Sequence, residues 1–194
     1  CHDGISRRAN WPRSLPAGSV VVDVGTGSGA VAVAIAHQRS DLRVMGTDLS
    51  AGALAVALAN VDAHSMRDRV ALVSCDLVCA LGNRVDAVTA NLPYVPTADL
   101  DRLPPTVRAF EPRTALDGGR DGLDGYRQLF DQVRRYHSAV GWLWCEIGDG
   151  QAAALTDEAR LRWPDATIRS LPDLAGIPRV IEIKIPVTLQ RGRM

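Results

Sequence analysis

Apolar positions along the chain fall into two alternating patterns, short β-branched runs and longer alanine-rich or amphipathic stretches. Val20-Val21-Val22 is a β-branched run that stops at Asp23 and a glycine-rich turn, and Ala30 to Ala36 is continuously apolar. Together they predict strand, turn and buried helix. Leu42 to Thr47 reads as a second strand ending at Asp48, followed by a helix up to Ala59 with Ser50 as its N-cap. Third and fourth strands are expected at Val70 to Cys75, closing at Asp76, and at Val85 to Ala90, closing at Asn91. From Leu92 to Gly122, prolines, glycines and charges accumulate without a sustained period. That stretch is too long for an ordinary connection and reads as a functional insert. Helical spacing resumes from Leu123 to Tyr136. A strand follows at Val140 to Ile147, then a helix at Gln151 to Leu161. Two candidate strands come last, Ala166 to Arg169 and Arg179 to Ile185, separated by Pro172 and Gly176.

Strands alternating with helices imply an α/β fold with a mostly parallel, doubly wound sheet, right-handed crossovers and an antiparallel edge pair at the C-terminal end. The expected organisation is a lead-in segment over 1–18, one domain over 19–187 with a substrate-side insert at 92–122, and a tail over 188–194.

Composition narrows this picture. An apolar content of 46% in 194 residues fills one sizeable core. Lys plus Arg equals Asp plus Glu at 22 each, so no global field holds a polyanion and nucleic acid is not favoured. Cys1, Cys75, Cys79 and Cys145 form no Cys-x-x-Cys pair, and His2, His37, His64 and His137 show no His-x-x-x-His spacing, so no metal site is expected. Cys145 sits in an apolar run and reads as a buried thiol. With no stretch long enough to cross a bilayer and no hydrophobic secretory region at Cys1-His2-Asp3-Gly4, no membrane association and a cytoplasmic location are expected.

In an open parallel sheet, ligands bind outside the carboxyl ends of the strands, so Asp23, Asp48, Asp76 and Asn91 should converge on one crevice. Gly25, Gly27 and Gly29 allow a tight turn close to a ligand, and Thr26 and Ser28 place small hydroxyls beside it. Asp48, which precedes Leu49, falls 19 residues beyond Gly29, where a carboxylate accepts hydrogen bonds from ribose hydroxyls. Asp76 can meet the exocyclic amine of an adenine. Gly25-x-Gly27-x-x-Ala30 also satisfies the dinucleotide fingerprint. Asp23 before the turn suits a cationic methionine amino group better than a pyrophosphate, which favours S-adenosylmethionine over NAD.

The fourth strand closes on Asn91-Leu92-Pro93-Tyr94. The lone pair of an amide or aromatic amine nitrogen is delocalised, so methylating it requires positioned acceptors rather than a strong base. The side-chain oxygen of Asn91 and the carbonyl of Leu92 can each accept one N–H of a primary amide. Pro93 holds Leu92 extended, and Tyr94 can cover a flat group with its ring.

On these residues the sequence resembles the class I, Rossmann-like S-adenosylmethionine-dependent methyltransferases. More narrowly, it resembles the HemK-type protein-glutamine N5-methyltransferases, which act on the Gly-Gly-Gln motif of peptide chain release factors. The narrower resemblance rests on Glu111-Pro112-Arg113-Thr114-Ala115-Leu116-Asp117-Gly118-Gly119-Arg120-Asp121-Gly122-Leu123-Asp124, on Glu146-Ile147-Gly148-Asp149-Gly150-Gln151, and on Leu174 to Val180. It implies that Asp23, Gly25 to Gly29, Asp48, Leu49, Asp76, Leu77 and Asn91 contact the cofactor. It likewise implies that Asn91, Pro93 and Tyr94 are catalytic, that Asn91 to Tyr94 hold the substrate amide, and that a release factor is the partner. Two departures stand out. Leu92 replaces the usual first proline of Asn-Pro-Pro-Tyr, and residues 1–18 show neither the family's N-terminal helical domain nor its Arg-Pro-x-Thr-Glu segment. A truncated piece, or a shortened branch with another substrate, would account for the second. The alternatives are an N-methyltransferase acting on adenine or another nucleic-acid amine, and a cofactor-binding domain without turnover.

Overall fold

The computed structural model describes residues 15–186, apart from 83 and 111 and the side chain of residue 110. The first 14 residues of the expected lead-in, the tail over 188–194 and Glu111 of the glycine-rich segment lie outside the described residues.

Strand β1 (Val20–Val24) is buried along its whole length, as expected of a central strand covered on both faces. Helix α1 (Ala30–Gln38) follows, burying Ala32, Val33, Ile35 and Ala36. Then come β2 (Arg43–Asp48), α2 (Ala51–Ala63), β3 (Val70–Ser74) and β4 (Ala87–Ala90). Ser50 caps α2, its hydroxyl accepting the Ala53 N–H at 3.2 Å; loss of such a cap costs about 1 kcal/mol. The stretch expected to lack regular structure holds short pieces: a 3-10 turn at Thr97–Arg102, the six-residue helix α3 (Pro105–Phe110) and a 3-10 turn at Arg113–Ala115. None is long enough to display a hydrophobic period, which is why the sequence pattern misses them.

Helix α4 (Asp124–Tyr136) buries Tyr126, Leu129, Phe130 and Val133, an i, i+3, i+4, i+7 stripe. Strand β5 (Trp142–Glu146), helix α5 (Ala152–Arg162) and the hairpin β6 (Thr167–Pro172) and β7 (Pro178–Lys184) complete the chain. The sheet order is β3-β2-β1-β4-β5-β7-β6. Strands β1 to β5 are parallel, and β7 runs antiparallel between β5 and β6.

Two core clusters cover the two faces of this sheet. On one, Val21, Val44 and Trp144 meet Ala32, Ile35 and Ala36 of α1 and Val61 of α2. On the other, Val22, Val24, Val88, Leu143 and Ile181 meet the α4 stripe together with Leu155 and Ala159 of α5. Truncating a fully buried aromatic there, such as Phe130, costs about 3–5 kcal/mol. Arg127 bonds Glu158 at 2.6 Å and Arg162 bonds Glu158 and Asp131, each at 2.7 Å, joining α4 to α5 along their polar flanks. Cys145 is fully buried, and burial pushes its thiol well above its ordinary pKa.

Candidate active site

Strand order reverses between β1 and β4, and the register brings the strand ends level there: Val24 pairs with Thr47 and with Ala90, and Asp48 with Ser74. A cavity of about 890 Å³ opens over these ends, within the range of small-molecule sites. It is lined by Gly25, Gly27 and Ser28 after β1, Asp48 and Leu49 after β2, Asp76 and Leu77 after β3, and Asn91, Leu92 and Pro93 after β4. The insert adds Pro112, Thr114 and Ala115, and α4 adds Gly125. Asp23, Thr26, Gly29 and Tyr94 do not line it. Of two further grooves, one lies beside His37, Asn60 and His64 and one runs between α2 and β3 as far as Ser74, and neither is lined by Asp48, Asp76 or Asn91.

The glycine turn is built by short-range bonds. Gly25 and Gly27 have φ of 65° and 55°, left-handed conformations that side chains disfavour. The Thr26 N–H bonds the Thr47 carbonyl at 2.8 Å, and the Thr26 hydroxyl donates to Asp23 Oδ2 at 2.7 Å. Asp23, 3% exposed, therefore stands beneath the turn and braces it. Burial raises its pKa to about 7, with the Thr26 bond opposing and the Asp48 charge adding to the rise. Asp48 accepts the Gly27 N–H on Oδ2 at 3.0 Å and the Ser50 N–H on Oδ1 at 2.8 Å. Each oxygen keeps a lone pair for a hydroxyl donor. Past Asp76 the chain turns through Leu77, whose φ is 52°.

The Asn91 turn is held from elsewhere. The buried hydroxyl of Tyr126 on α4 accepts the Leu92 N–H at 3.3 Å, donates to the Glu146 carbonyl at the end of β5, and lies 3.4 Å from the Ala90 carbonyl. Burial keeps that phenol well above its ordinary pKa, so it stays a donor. The Leu92 side chain, 5% exposed, packs between Gly25 and Gly125: a Cβ would sit 3.1 Å from Leu92 Cδ2 at the first and 3.4 Å from its Cδ1 at the second. Gln151 donates to the carbonyls of Tyr94 at 2.8 Å and Asp121 at 3.2 Å, and accepts the Gly148 N–H at 2.8 Å.

The glycine-rich segment forms the bed of this turn. A Cβ on Gly118 would lie 2.6 Å from the Pro93 carbonyl, and one on Gly122, whose φ is 83°, would collide with the Tyr94 carbonyl and the Gln151 amide. Val95 and Thr97 pair with the segment through Val95 N to Leu116 O, Gly118 N to Val95 O and Thr97 N to Gly119 O, at 2.8–2.9 Å. Asp121 receives two bonds from Arg127, at 2.9 and 2.6 Å, which lower its pKa to about 2.

The sequence assigns no site role to Tyr126, and it marks Gln151 only as part of a resembling segment. A tyrosine in a stripe whose other members carry no polar atom was the available signal, since a buried phenol requires a partner for its hydroxyl.

The level strand ends, the glycine turn after β1 and the carboxylate closing β2 define the class I S-adenosylmethionine-dependent methyltransferase fold. A family model described as a methyltransferase domain matches residues 21–110. The fold is similar to the N-terminal domain of human METTL16 in complex with SAH, with a TM-score of 0.62 at 16% identity over 86% of this chain and 61% of that one. It is also similar to ribosomal protein L11 methylase from Lactobacillus delbrueckii subsp. bulgaricus, with a TM-score of 0.61 at 19% identity over 88% of this chain and 70% of that one.

Sequence similarity is narrower. A release factor glutamine methyltransferase of Geobacter sulfurreducens is 46% identical over 141 residues, 72% of this chain and 49% of that protein. One of Moorella thermoacetica is 44% identical over 160 residues, 82% of this chain and 56% of that protein. Over the matched region the chain is a homologue of the release factor glutamine methyltransferases. It spans about half the length of these curated relatives.

Proposed function

We propose that this chain transfers the methyl group of S-adenosylmethionine to the side-chain amide nitrogen of a glutamine in a peptide chain release factor. The observation that carries the reading is the placement of the Asn91 turn: it shares one cavity with Gly25, Gly27 and Asp48, and rests on the Gly118 to Gly122 bed that distinguishes this chain's insert.

The residues present fit the cofactor. The left-handed glycines at 25 and 27 leave room for close backbone approach, and the unused lone pairs of Asp48 suit ribose hydroxyls. Asp76 and Leu77 border the place for an adenine, Ser28 and Asn91 flank the methionine portion, and Asp23 acts by bracing the turn. When bound, S-adenosylmethionine supplies an electrophilic methyl on sulfur. Asn91 Oδ1 and the Leu92 carbonyl would accept the two amide hydrogens of the acceptor and orient its nitrogen toward the bound cofactor, one of those hydrogens leaving as a proton to solvent after the methyl is gained. Pro93 restrains Leu92, and Tyr94, whose ring lies beside Gly148, anchors the turn through its carbonyl to Gln151. Rate enhancement then comes from orientation and from acceptors already in place as the nitrogen gains positive character.

The test is incubation of the 194-residue chain with methyl-labelled S-adenosylmethionine and, separately, a release factor, its Gln-to-Ala variant at the Gly-Gly-Gln motif, and an RNA or DNA duplex. Label on the release factor alone, lost in the variant, is the expected result. Label on nucleic acid alone sinks the protein-glutamine reading, and cofactor binding without label anywhere points to a domain without turnover.

A further inference from the structure

We propose that Tyr126 is a positioning residue for methyl transfer, its buried hydroxyl fixing the Leu92 peptide so that the Leu92 carbonyl faces the acceptor amide. This rests on the functional reading above and assigns a role to a side chain that lies outside the cavity.

A carbonyl has a defined direction only if the rotations on its N-terminal side are fixed. Three groups fix them at Leu92. The Asn91–Leu92 peptide plane is held by the bond from the Leu92 N–H to the Tyr126 hydroxyl at 3.3 Å. Rotation about the Leu92 N–Cα bond is limited because the side chain is wedged between Gly25 and Gly125. Rotation about the Cα–C bond is limited by Pro93, which confines the preceding residue to extended conformations. Pro93 is within the turn itself, whereas the Gly25 and Gly125 contacts and the Tyr126 bond refer its orientation to the rest of the molecule, the directional bond being that of Tyr126. It does so rigidly: the ring is fully buried in the α4 stripe, and the hydroxyl also bonds the Glu146 carbonyl at the end of the neighbouring strand. The phenol has one proton and gives it to Glu146, so its lone pairs are the partner for Leu92. In Tyr126→Phe the ring still fills its site, the Leu92 N–H loses its acceptor, and the turn can rock against the cofactor turn.

Small displacements of a reacting group are costly. A misplacement near 1 Å costs on the order of a hundredfold in rate, so the partial release expected here should cost about tenfold or more in kcat. Because the glycine turn, Asp48 and Asp76 do not depend on Tyr126, the KM for S-adenosylmethionine should move by less than about threefold, well under the tenfold that 1.4 kcal/mol represents.

The experiment compares wild type, Tyr126→Phe and Val133→Ala, a buried position two turns further along α4. Melting temperature, kcat, KM for both substrates and hydrogen exchange at the Leu92 amide are measured for each. The expected result is a kcat loss with accelerated Leu92 exchange in Tyr126→Phe alone, while Val133→Ala loses melting temperature and keeps kcat. Wild-type kcat in Tyr126→Phe overturns the inference, as does an equal kcat loss in Val133→Ala at matched stability. If wild type labels no release factor, the functional reading fails on its own. The positioning role is then decided by exchange at Leu92, unchanged exchange in Tyr126→Phe overturning it.

Discussion

On the β1–β2 side of the cavity, the side-chain bonds that shape the site stay within the unit running from β1 to α2: Ser50 to Asp48, Thr26 to Asp23 and Gly27 to Asp48 span 2 to 21 residues, and Asn60 of α2 to the Ser28 carbonyl spans 32. On the β4 side they span 34 and 57 residues, from Leu92 to Tyr126 and from Tyr94 to Gln151. The first half is a property of strand ends and a glycine turn, and forms wherever the parallel sheet forms. The second exists only once α4, the insert and the β5–α5 turn have all docked, so it should fail as a unit. Its weakest point is the glycine bed, where the Gly118 to Gly122 segment touches backbone that cannot move aside.

That difference is broken hardest at Gly122. Gly122→Ala imposes a left-handed φ on a side-chain-bearing residue, about 1–3 kcal/mol, and drives a methyl into the Tyr94 carbonyl, about 1–3 kcal/mol more. Loss of detectable transfer together with a large drop in melting temperature is expected, read by thermal denaturation and the labelling assay. Retention of activity would show that the bed does not shape the turn. Asn91→Ala comes next. Removing one positioned acceptor should lower kcat by ~10²–10³ while calorimetry still detects cofactor binding, and wild-type turnover would remove Asn91 from the chemistry. Asp48→Ala is the mirror image on the cofactor side. Its Kd for S-adenosylmethionine should rise roughly tenfold to a hundredfold, from lost charged hydrogen bonds, with kcat at saturating cofactor much less affected. Equal losses of kcat in the two variants would erase the distinction between the halves.

The same contrast explains what the sequence could reveal. Val20 to Asp23, Ser50 and Asp48 announce strand, cap and strand end through local rules, and the sheet places them as those rules require. The C-terminal hairpin was legible for the same reason, from β-branched runs separated by Pro172 and Gly176. Tyr126 was legible only as one member of a helical stripe, because nothing local distinguishes a phenol that meets Leu92 from one that meets water. Gln151 and the glycines at 118 and 122 were visible as a resemblance, without a physical reason until the Tyr94 and Pro93 carbonyls came to lie against them. The placement of Asp23 is the instructive case on the cofactor side. As the residue before the turn it read as a partner for a methionine amino group, yet its Oδ2 accepts the Thr26 hydroxyl beneath the turn and the residue does not line the cavity.

Asp23 therefore gives the smallest expected effect on transfer and the sharpest test of where the cofactor side ends. Its folded-state pKa of about 7 lies above the ordinary aspartate value of 3.8, so between those values the folded chain holds the proton more tightly than the unfolded one. The stability this contributes is complete below the lower value and is lost as pH rises through the upper one. Asn cannot ionise, and its side-chain oxygen can still accept from Thr26. The stability of Asp23→Asn relative to wild type should therefore increase by about 2–3 kcal/mol between pH 5 and pH 8, measured by denaturant unfolding at both. A difference independent of pH would mean that Asp23 is not the group titrating. Because Asp23 does not line the cavity, the Kd for S-adenosylmethionine at pH 8 should stay within about threefold of wild type, well below the tenfold that 1.4 kcal/mol represents. A loss as large as that of Asp48→Ala would instead place the ionised Asp23 carboxylate in direct attraction to the cofactor's ammonium group. The short-range half of the site would then reach one layer deeper into β1 than the cavity wall.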